Sequence, residues 1–129
     1  MNTTTTGLTT ISLVCVPTPD QDAAVAFYES LGFEKRTDTP FGGGYRWIEV
    51  YPAEGNTGIA LAPPPPDGGP VQPANTGITL HTNDIDATHA AMKELGVDVD
   101  AQVARMGEPV PPMFWFRDPT GHTLMVVQT

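Results

Sequence analysis

Hydrophobic and polar residues alternate along several short stretches of the chain, which is the period expected of half-buried β-strands. The clearest alternation runs from Tyr45 to Tyr51, and other β-rich stretches cover residues 11–16, 33–38, 57–62, 77–82 and 99–104. Two further stretches carry apolar residues at helical spacing. They predict one helix over 21–31, capped by Asp20, and a second from a cap at Asn83 or Asp84 to about Leu95. A glycine follows each helix, as is typical of helix C-termini.

The end of the chain predicts a β-hairpin. Its two strands, 113–117 and 123–127, are rich in apolar residues and are joined by Asp118-Pro119-Thr120-Gly121-His122. Aspartate favours the first position of such a turn, proline presets φ, and glycine supplies the positive φ that closes it. We expect His122, directly after the turn glycine, to have a structural role.

The order strand, helix, strand, strand, strand occurs twice along the chain. Leu31-Gly32 and Leu95-Gly96 are 64 positions apart, as are the first strands near Ile11 and Asn75. Such an internal repeat predicts two βαβββ modules in tandem. We expect an α+β fold in which curved mixed sheets form a cleft with the helices outside. The predicted organisation is a single domain over 1–129, with module 1 at about 8–62, a Pro/Gly linker at 63–74 and module 2 at about 75–129.

Composition and charge exclude several classes of partner. Six Lys and Arg against 15 Asp and Glu give a formal net charge of −9, which argues against nucleic acid and anionic membrane surfaces. No apolar run approaches the roughly 18 residues needed to span a bilayer. Cys15 is the only cysteine, so an internal disulfide and a cysteine zinc cluster are excluded. The first residues lack the pattern of a signal peptide, and we expect a cytoplasmic protein.

Several motifs together resemble those of one superfamily. They are 20–28, ending in Phe27-Tyr28, then 31–34 (Leu-Gly-Phe-Glu), Arg46-Trp47, 83–86 and 116–121 (Phe-Arg-Asp-Pro-Thr-Gly). In this order they resemble the vicinal oxygen chelate superfamily, also called the glyoxalase/bleomycin resistance protein/dioxygenase superfamily, over about residues 8–129. The resemblance implies the glyoxalase/bleomycin resistance-like fold and a homodimer. It does not select a reaction, because this fold hosts many chemistries.

The resemblance also implies where a metal would lie. Enzymes of the superfamily hold one divalent metal with His and Glu, taken from the first and last strand of each module. Carried over by strand register, those positions are Leu13, Ala60, Gly77 and Met125. None of these side chains suits a hard divalent ion, which prefers oxygen or imidazole ligands. We therefore expect no metal and no cofactor.

Strand alternation assigns the remaining side chains to two faces. One set is uniformly apolar and is expected to pack under the helices: Val14, Val16, Ile48, Val50, Ile59, Leu61, Ile78, Leu80, Phe114, Phe116, Leu124 and Val126. The other set contains the four positions above and is expected to face the cleft. Its composition, apolar and aromatic with a few polar groups, is typical of a small-molecule pocket. The predicted ligand-binding residues are Tyr45, Trp47, Glu49, His81, Met113, Trp115, Arg117 and Met125.

The sequence leaves four functions open. The first is a metal-free binding or resistance protein, in which Trp47 and Trp115 hold an aromatic or cationic, antibiotic-like molecule. The second is a metal-independent lyase or isomerase with Glu49 or His81 as base and Arg117 or Tyr45 as partner. The third is an atypical metal-dependent lyase or dioxygenase, and the fourth is an interaction module without ligand. Instead of binding a ligand or acting as a base, Glu49 has a structural alternative, a salt bridge with Arg46 or Arg117.

Overall fold

The computed structural model describes residues 6–64 and 70–129, which form two four-stranded mixed sheets and two helices. Sheet 1 has the order β1-β4-β3-β2, and sheet 2 has the order β5-β8-β7-β6. The elements are β1 Leu13–Pro17, α1 Gln21–Ser30, β2 Glu34–Gly42, β3 Tyr45–Tyr51, β4 Gly58–Ala62, β5 Asn75–Thr82, α2 Ile85–Glu94, β6 Asp98–Val99, β7 Met113–Arg117 and β8 Thr123–Gln128. In each sheet the first and last strands of the module run parallel and the other pairs are antiparallel. The predicted α+β fold class, with its tandem βαβββ order, is confirmed.

Both helices begin and end at the predicted signals. The Asp20 side chain accepts a hydrogen bond from Ala23 N at 3.0 Å, and Asp84, rather than Asn83, does the same for Ala87 N at 3.1 Å. These bonds satisfy amide groups that a helix N-terminus leaves without a partner. Gly32 closes α1 with a φ of +95°, a conformation that other residues rarely adopt.

Two strand predictions need correction. The stretch 99–104 is not one strand, because it pairs with β7 only near its two ends: β6 covers Asp98–Val99, and an isolated bridge joins Ala104 to Met113. The predicted strand 33–38 continues to Gly42, and only Gly43 and Gly44 form the turn before β3. Of the predicted linker at 63–74, residues 65–69 lie outside the described part of the chain.

The core follows the predicted alternation. Ile48 and Val50 of β3 and Phe114 and Phe116 of β7 are fully buried on the faces that bear the helices. Nine of the twelve residues predicted for this face are buried; the exceptions, Val14, Ile78 and Leu80, are partly buried. None of the described helices is both long and apolar enough to cross a membrane.

The two modules are joined through their helix-bearing faces. The ring of Phe27 on α1 lies 6.3 Å, centroid to centroid, from that of Phe116 on β7. The Tyr28 hydroxyl donates to Asp118 Oδ2 at 3.0 Å, across the junction. Because α1 contacts both its own sheet and the helix-bearing face of sheet 2, the opposite faces of the two sheets point away from each other within one chain.

His122 and Asp118 lock the hairpin turn into this junction. His122 is 1% exposed; its Nδ1 accepts from Ala74 N at 3.1 Å, so its Nε2 carries the hydrogen that Pro17 O accepts at 2.8 Å. Asp118 Oδ1 accepts from Thr120 N and His122 N at 3.0 and 2.9 Å. The structural role predicted for His122 is therefore confirmed.

Candidate functional site

The helix-free face of sheet 1 carries an ordered group of polar and aromatic side chains. Trp47, Glu49 and Tyr51 alternate with the buried residues of β3 and are themselves half-buried. Trp47 Nε1 donates to Glu49 Oε2 at 2.7 Å, and the Tyr51 hydroxyl donates to Glu49 Oε1 at 2.8 Å. Both oxygens of the carboxylate are thus oriented by neutral donors. We call these three residues the Glu49 group.

Tyr51 is held from two sides. An added Cβ at Gly58 would lie 2.7 Å from the Tyr51 ring, so the ring occupies the space that only a glycine leaves free. The guanidinium of Arg36 lies over the ring, 4.4 Å from its centroid, as in a cation–π contact. The hydrogen bond to Glu49 raises the pKa of Tyr51, and desolvation and the Glu49 charge raise this pKa further. Sequence reasoning missed Tyr51, although its position two residues after Glu49 places it on the same face.

The strands beside Glu49 present small side chains. Ala60 lies directly opposite Glu49 in the ladder, and Cys15 lies opposite Ala60 on the next strand. Ala60 is 0% exposed, so the larger side chains around it, on the same face, cover its methyl group.

The helix-free face of sheet 2 is more apolar. Trp115 pairs with Met125, and Met125 pairs with Thr79; Met113 pairs with Val127, and Val127 pairs with His81. These ladder rows place four of the predicted binding residues side by side: Trp115, Met125, Met113 and His81. Trp115, Met125 and Met113 are half-buried, whereas His81 is exposed on the end strand β5.

Arg117 lies at the edge of this face and is already paired. Its Nη2 donates to Asp100 Oδ1 at 2.8 Å, and its Nη1 lies 3.8 Å from an oxygen of Asp98. Arg46 is bound to Asp38 and Asp22 on the other side of β3. The salt bridge considered for Glu49 with Arg46 or Arg117 is therefore wrong within the described chain.

The predicted binding residues form two groups rather than one. Tyr45, Trp47 and Glu49 lie on sheet 1, with Tyr45 39% exposed at the hairpin tip, and the remaining five lie on sheet 2. Trp47 and Trp115 occupy faces that point away from each other in one chain. A single chain does not bring them to the two sides of one ligand.

A pocket of about 890 Å³ opens on the other side of the sheets, at the module junction. It lies between β1, β5, the C-terminal ends of both helices and the loop 52–58. Its lining includes the three residues predicted for the helix-bearing faces that are only partly buried, Val14, Ile78 and Leu80. No local pattern could reveal this pocket, because it exists only where the two modules meet.

The donor set does not fit the divalent metal that the superfamily's enzymes hold. The described residues, 6–64 and 70–129, contain no group of three or more His, Cys, Asp or Glu side chains that could hold an ion. In the observed register Ala60 lies beside Cys15, and Met125 lies beside Thr79. None of these four side chains carries an imidazole or a carboxylate.

Comparisons with known proteins agree with the observed fold. A family model described as "Glyoxalase/Bleomycin resistance protein/Dioxygenase superfamily" matches residues 10–126. The uncharacterized protein YetH of Bacillus subtilis (strain 168) is 30% identical over 122 residues, covering 90% of this chain and 95% of YetH.

Two crystal structures are similar over nearly the whole chain. TnmS3, an antibiotic binding protein from Streptomyces sp. CB03234, has 32% identity and a TM-score of 0.79, covering 96% of this chain and 98% of TnmS3. A member of the same superfamily from Sphaerobacter thermophilus DSM 20745 has 30% identity and a TM-score of 0.83, covering 95% of this chain and 98% of that protein.

Proposed function

The chain belongs to the glyoxalase/bleomycin resistance protein/dioxygenase superfamily, and from that premise we propose that it is a small-molecule binding or resistance protein. One observation carries this proposal: both tryptophans of the chain lie half-buried on the two sheet faces that neither described helix covers. Half-buried aromatic surface beside a few oriented polar groups is the usual composition of a ligand site. The similarity to TnmS3, an antibiotic binding protein, supports an aromatic or cationic, antibiotic-like ligand.

The proposed binding unit is a homodimer. β1 and β5 are end strands of their sheets, and the apolar pocket at the module junction adjoins both. A second copy that places its β5 beside β1 would cover this pocket and bring Trp115 of sheet 2 opposite Trp47 of sheet 1. Each cleft would then combine sheet 1 of one chain with sheet 2 of the other. Sedimentation equilibrium tests the dimer, and a monomer at micromolar concentration contradicts it.

Metal-free binding and a cytoplasmic location complete the proposal, and both stay predictions. The donor set at the superfamily's metal positions supports the first. The enzymatic alternative uses Glu49 or His81 as base. Glu49 already accepts a hydrogen bond on each oxygen, and His81 lies on the other sheet, so the arrangement favours recognition over proton transfer.

Intrinsic fluorescence is the direct test, because the chain has only two tryptophans and both lie on the proposed binding faces. We expect a panel of planar aromatic antibiotics and dyes to quench the fluorescence with dissociation constants well below millimolar. The variants Trp47→Phe and Trp115→Phe should each keep part of the quenching and weaken binding. If no compound of the panel binds below millimolar concentration, the proposal fails.

A further inference from the structure

Glu49 is a negative charge for which the described chain supplies no positive partner. All six Lys and Arg residues lie within the described ranges, and five of them are paired with other acids: Lys35 and Arg46 with Asp38, Arg36 with Glu34, Arg105 with Asp86, and Arg117 with Asp100. The sixth, Lys93, is in the last turn of α2, outside sheet 1. Arg36 also lies over the ring of Tyr51, yet no Lys or Arg of the described chain forms an ion pair with the half-buried Glu49 carboxylate.

The carboxylate is nevertheless held in a fixed orientation. Trp47 and Tyr51 each donate one hydrogen bond, and each oxygen of an ionised carboxylate can accept a second one. Because both donors are neutral, the charge remains available to a ligand.

We propose that the Glu49 group binds the positively charged nitrogen group of a planar aromatic cation. The N–H groups of the cation donate to the free acceptor positions of Glu49, in charge-assisted hydrogen bonds that are stronger than neutral ones. The aromatic rings of the ligand stack on the indole of Trp47, whose plane is fixed by its own bond to Glu49. This inference rests on the proposed function and names the ligand class and the residue that selects it.

A matched pair of probes tests the charge. Proflavine is a planar tricyclic cation at neutral pH, and acridone is a neutral tricycle of the same size. Both are titrated by fluorescence and calorimetry into the wild type, Glu49→Gln and the control Glu29→Gln. Glu29 is an exposed residue of α1, so its variant makes the same change in net charge away from the face.

We expect Glu49→Gln to weaken proflavine binding about tenfold to a hundredfold, the range of a lost hydrogen-bonded charge contact. Acridone binding should change less than about twofold in Glu49→Gln, and both probes should bind Glu29→Gln within about twofold of the wild type. If Glu49→Gln does not fold, the salt dependence of binding to the wild type is measured in place of the variant titration. Added salt should then weaken proflavine binding more than acridone binding.

Several outcomes overturn the inference. A selective role of Glu49 is contradicted if Glu49→Gln weakens the binding of both probes equally, or if it does not weaken proflavine binding. It is also contradicted if Glu49→Gln and Glu29→Gln weaken proflavine binding equally. Binding of acridone but not proflavine contradicts the inference and leaves the proposed function standing. Binding of neither probe, and of no other compound in the panel, overturns both.

Discussion

Replacing Tyr28 with Phe removes a single hydroxyl group from the junction between the two modules. The Tyr28 side chain is 0% exposed, and its hydroxyl donates to Asp118 Oδ2 at 3.0 Å. Phenylalanine keeps the ring and its edge-to-face contacts with Phe27 and Phe33, at centroid distances of 5.1 and 5.3 Å. The substitution therefore isolates the hydrogen bond from the packing.

The expected cost follows from the burial and charge of the acceptor. Asp118 is 7% exposed and keeps two backbone donors after the substitution, Thr120 N and His122 N. A hydrogen bond to a charged group contributes about 1.5–3 kcal/mol, and we expect Tyr28→Phe to lower the free energy of unfolding by about 2 kcal/mol. With an unfolding entropy of about 0.27 kcal/mol/K for a chain of this length, the melting temperature should fall by about 7 °C.

Urea unfolding followed by circular dichroism measures this change, at one fixed protein concentration because dimerisation would couple to stability. Tyr51→Phe is the matched control, since it also removes a tyrosine hydroxyl from a carboxylate, but at a half-buried position where water can replace the bond. The control should lose less stability than Tyr28→Phe. A loss below about 0.5 kcal/mol in Tyr28→Phe, or a loss no larger than that of the control, would refute the reasoning.

Three further predictions concern pH, a glycine and metal content. Burial first, and then the charge of Asp118, raise the pKa of Tyr28 above its ordinary 10.0. Because its pKa is higher in the folded state, the hydroxyl stabilises the fold fully below about pH 10 and progressively less above it. Urea unfolding from about pH 8 to about pH 11 should therefore show that the free energy of unfolding falls more steeply with pH for the wild type than for Tyr28→Phe. Parallel decreases in the two proteins would contradict this. Gly58→Ala should displace the Tyr51 ring, because the added Cβ would lie 2.7 Å from it. Absorbance titration should then find the pKa of Tyr51 closer to its ordinary value. An unchanged titration would show that Gly58 does not position the ring. Protein offered excess nickel, zinc, manganese or iron and then freed of unbound ion should retain close to none, whereas one ion per chain would refute the proposed metal-free site.

Much of the fold was accessible from the sequence because its signals are local. The alternation in β3, the caps at Asp20 and Asp84 and the glycines after both helices depend on a few neighbouring residues, and the structure contains all of them. The prediction failed at 99–104, where a β-rich stretch pairs only near its ends. Pairing depends on the partner strand, which a local pattern does not contain.

The candidate site likewise has features that the sequence predicts and contacts that depend on the folded chain. Alternation placed Trp47 and Glu49 on one face of a strand, but not the bond between them or the support from Tyr51, because these depend on rotamers and on the space above Gly58. The partners of Arg46 and Arg117 were also beyond the sequence, since Asp22 and Asp100 reach them only after the chain has folded.

The sequence by itself determined the two modules, most of the order of helices and strands along the chain and most of the residues that the strands bury, since short-range periodicity and turn chemistry specify these features. Only the tertiary structure decided how the modules face each other. Contacts between distant residues, such as Phe27 with Phe116 and Tyr28 with Asp118, bring the helix-bearing faces together and turn the aromatic faces apart. The alternation of apolar residues along the strands is the same whether the helix-bearing faces or the opposite faces of the two sheets meet. Side-chain packing across the junction therefore decides the arrangement.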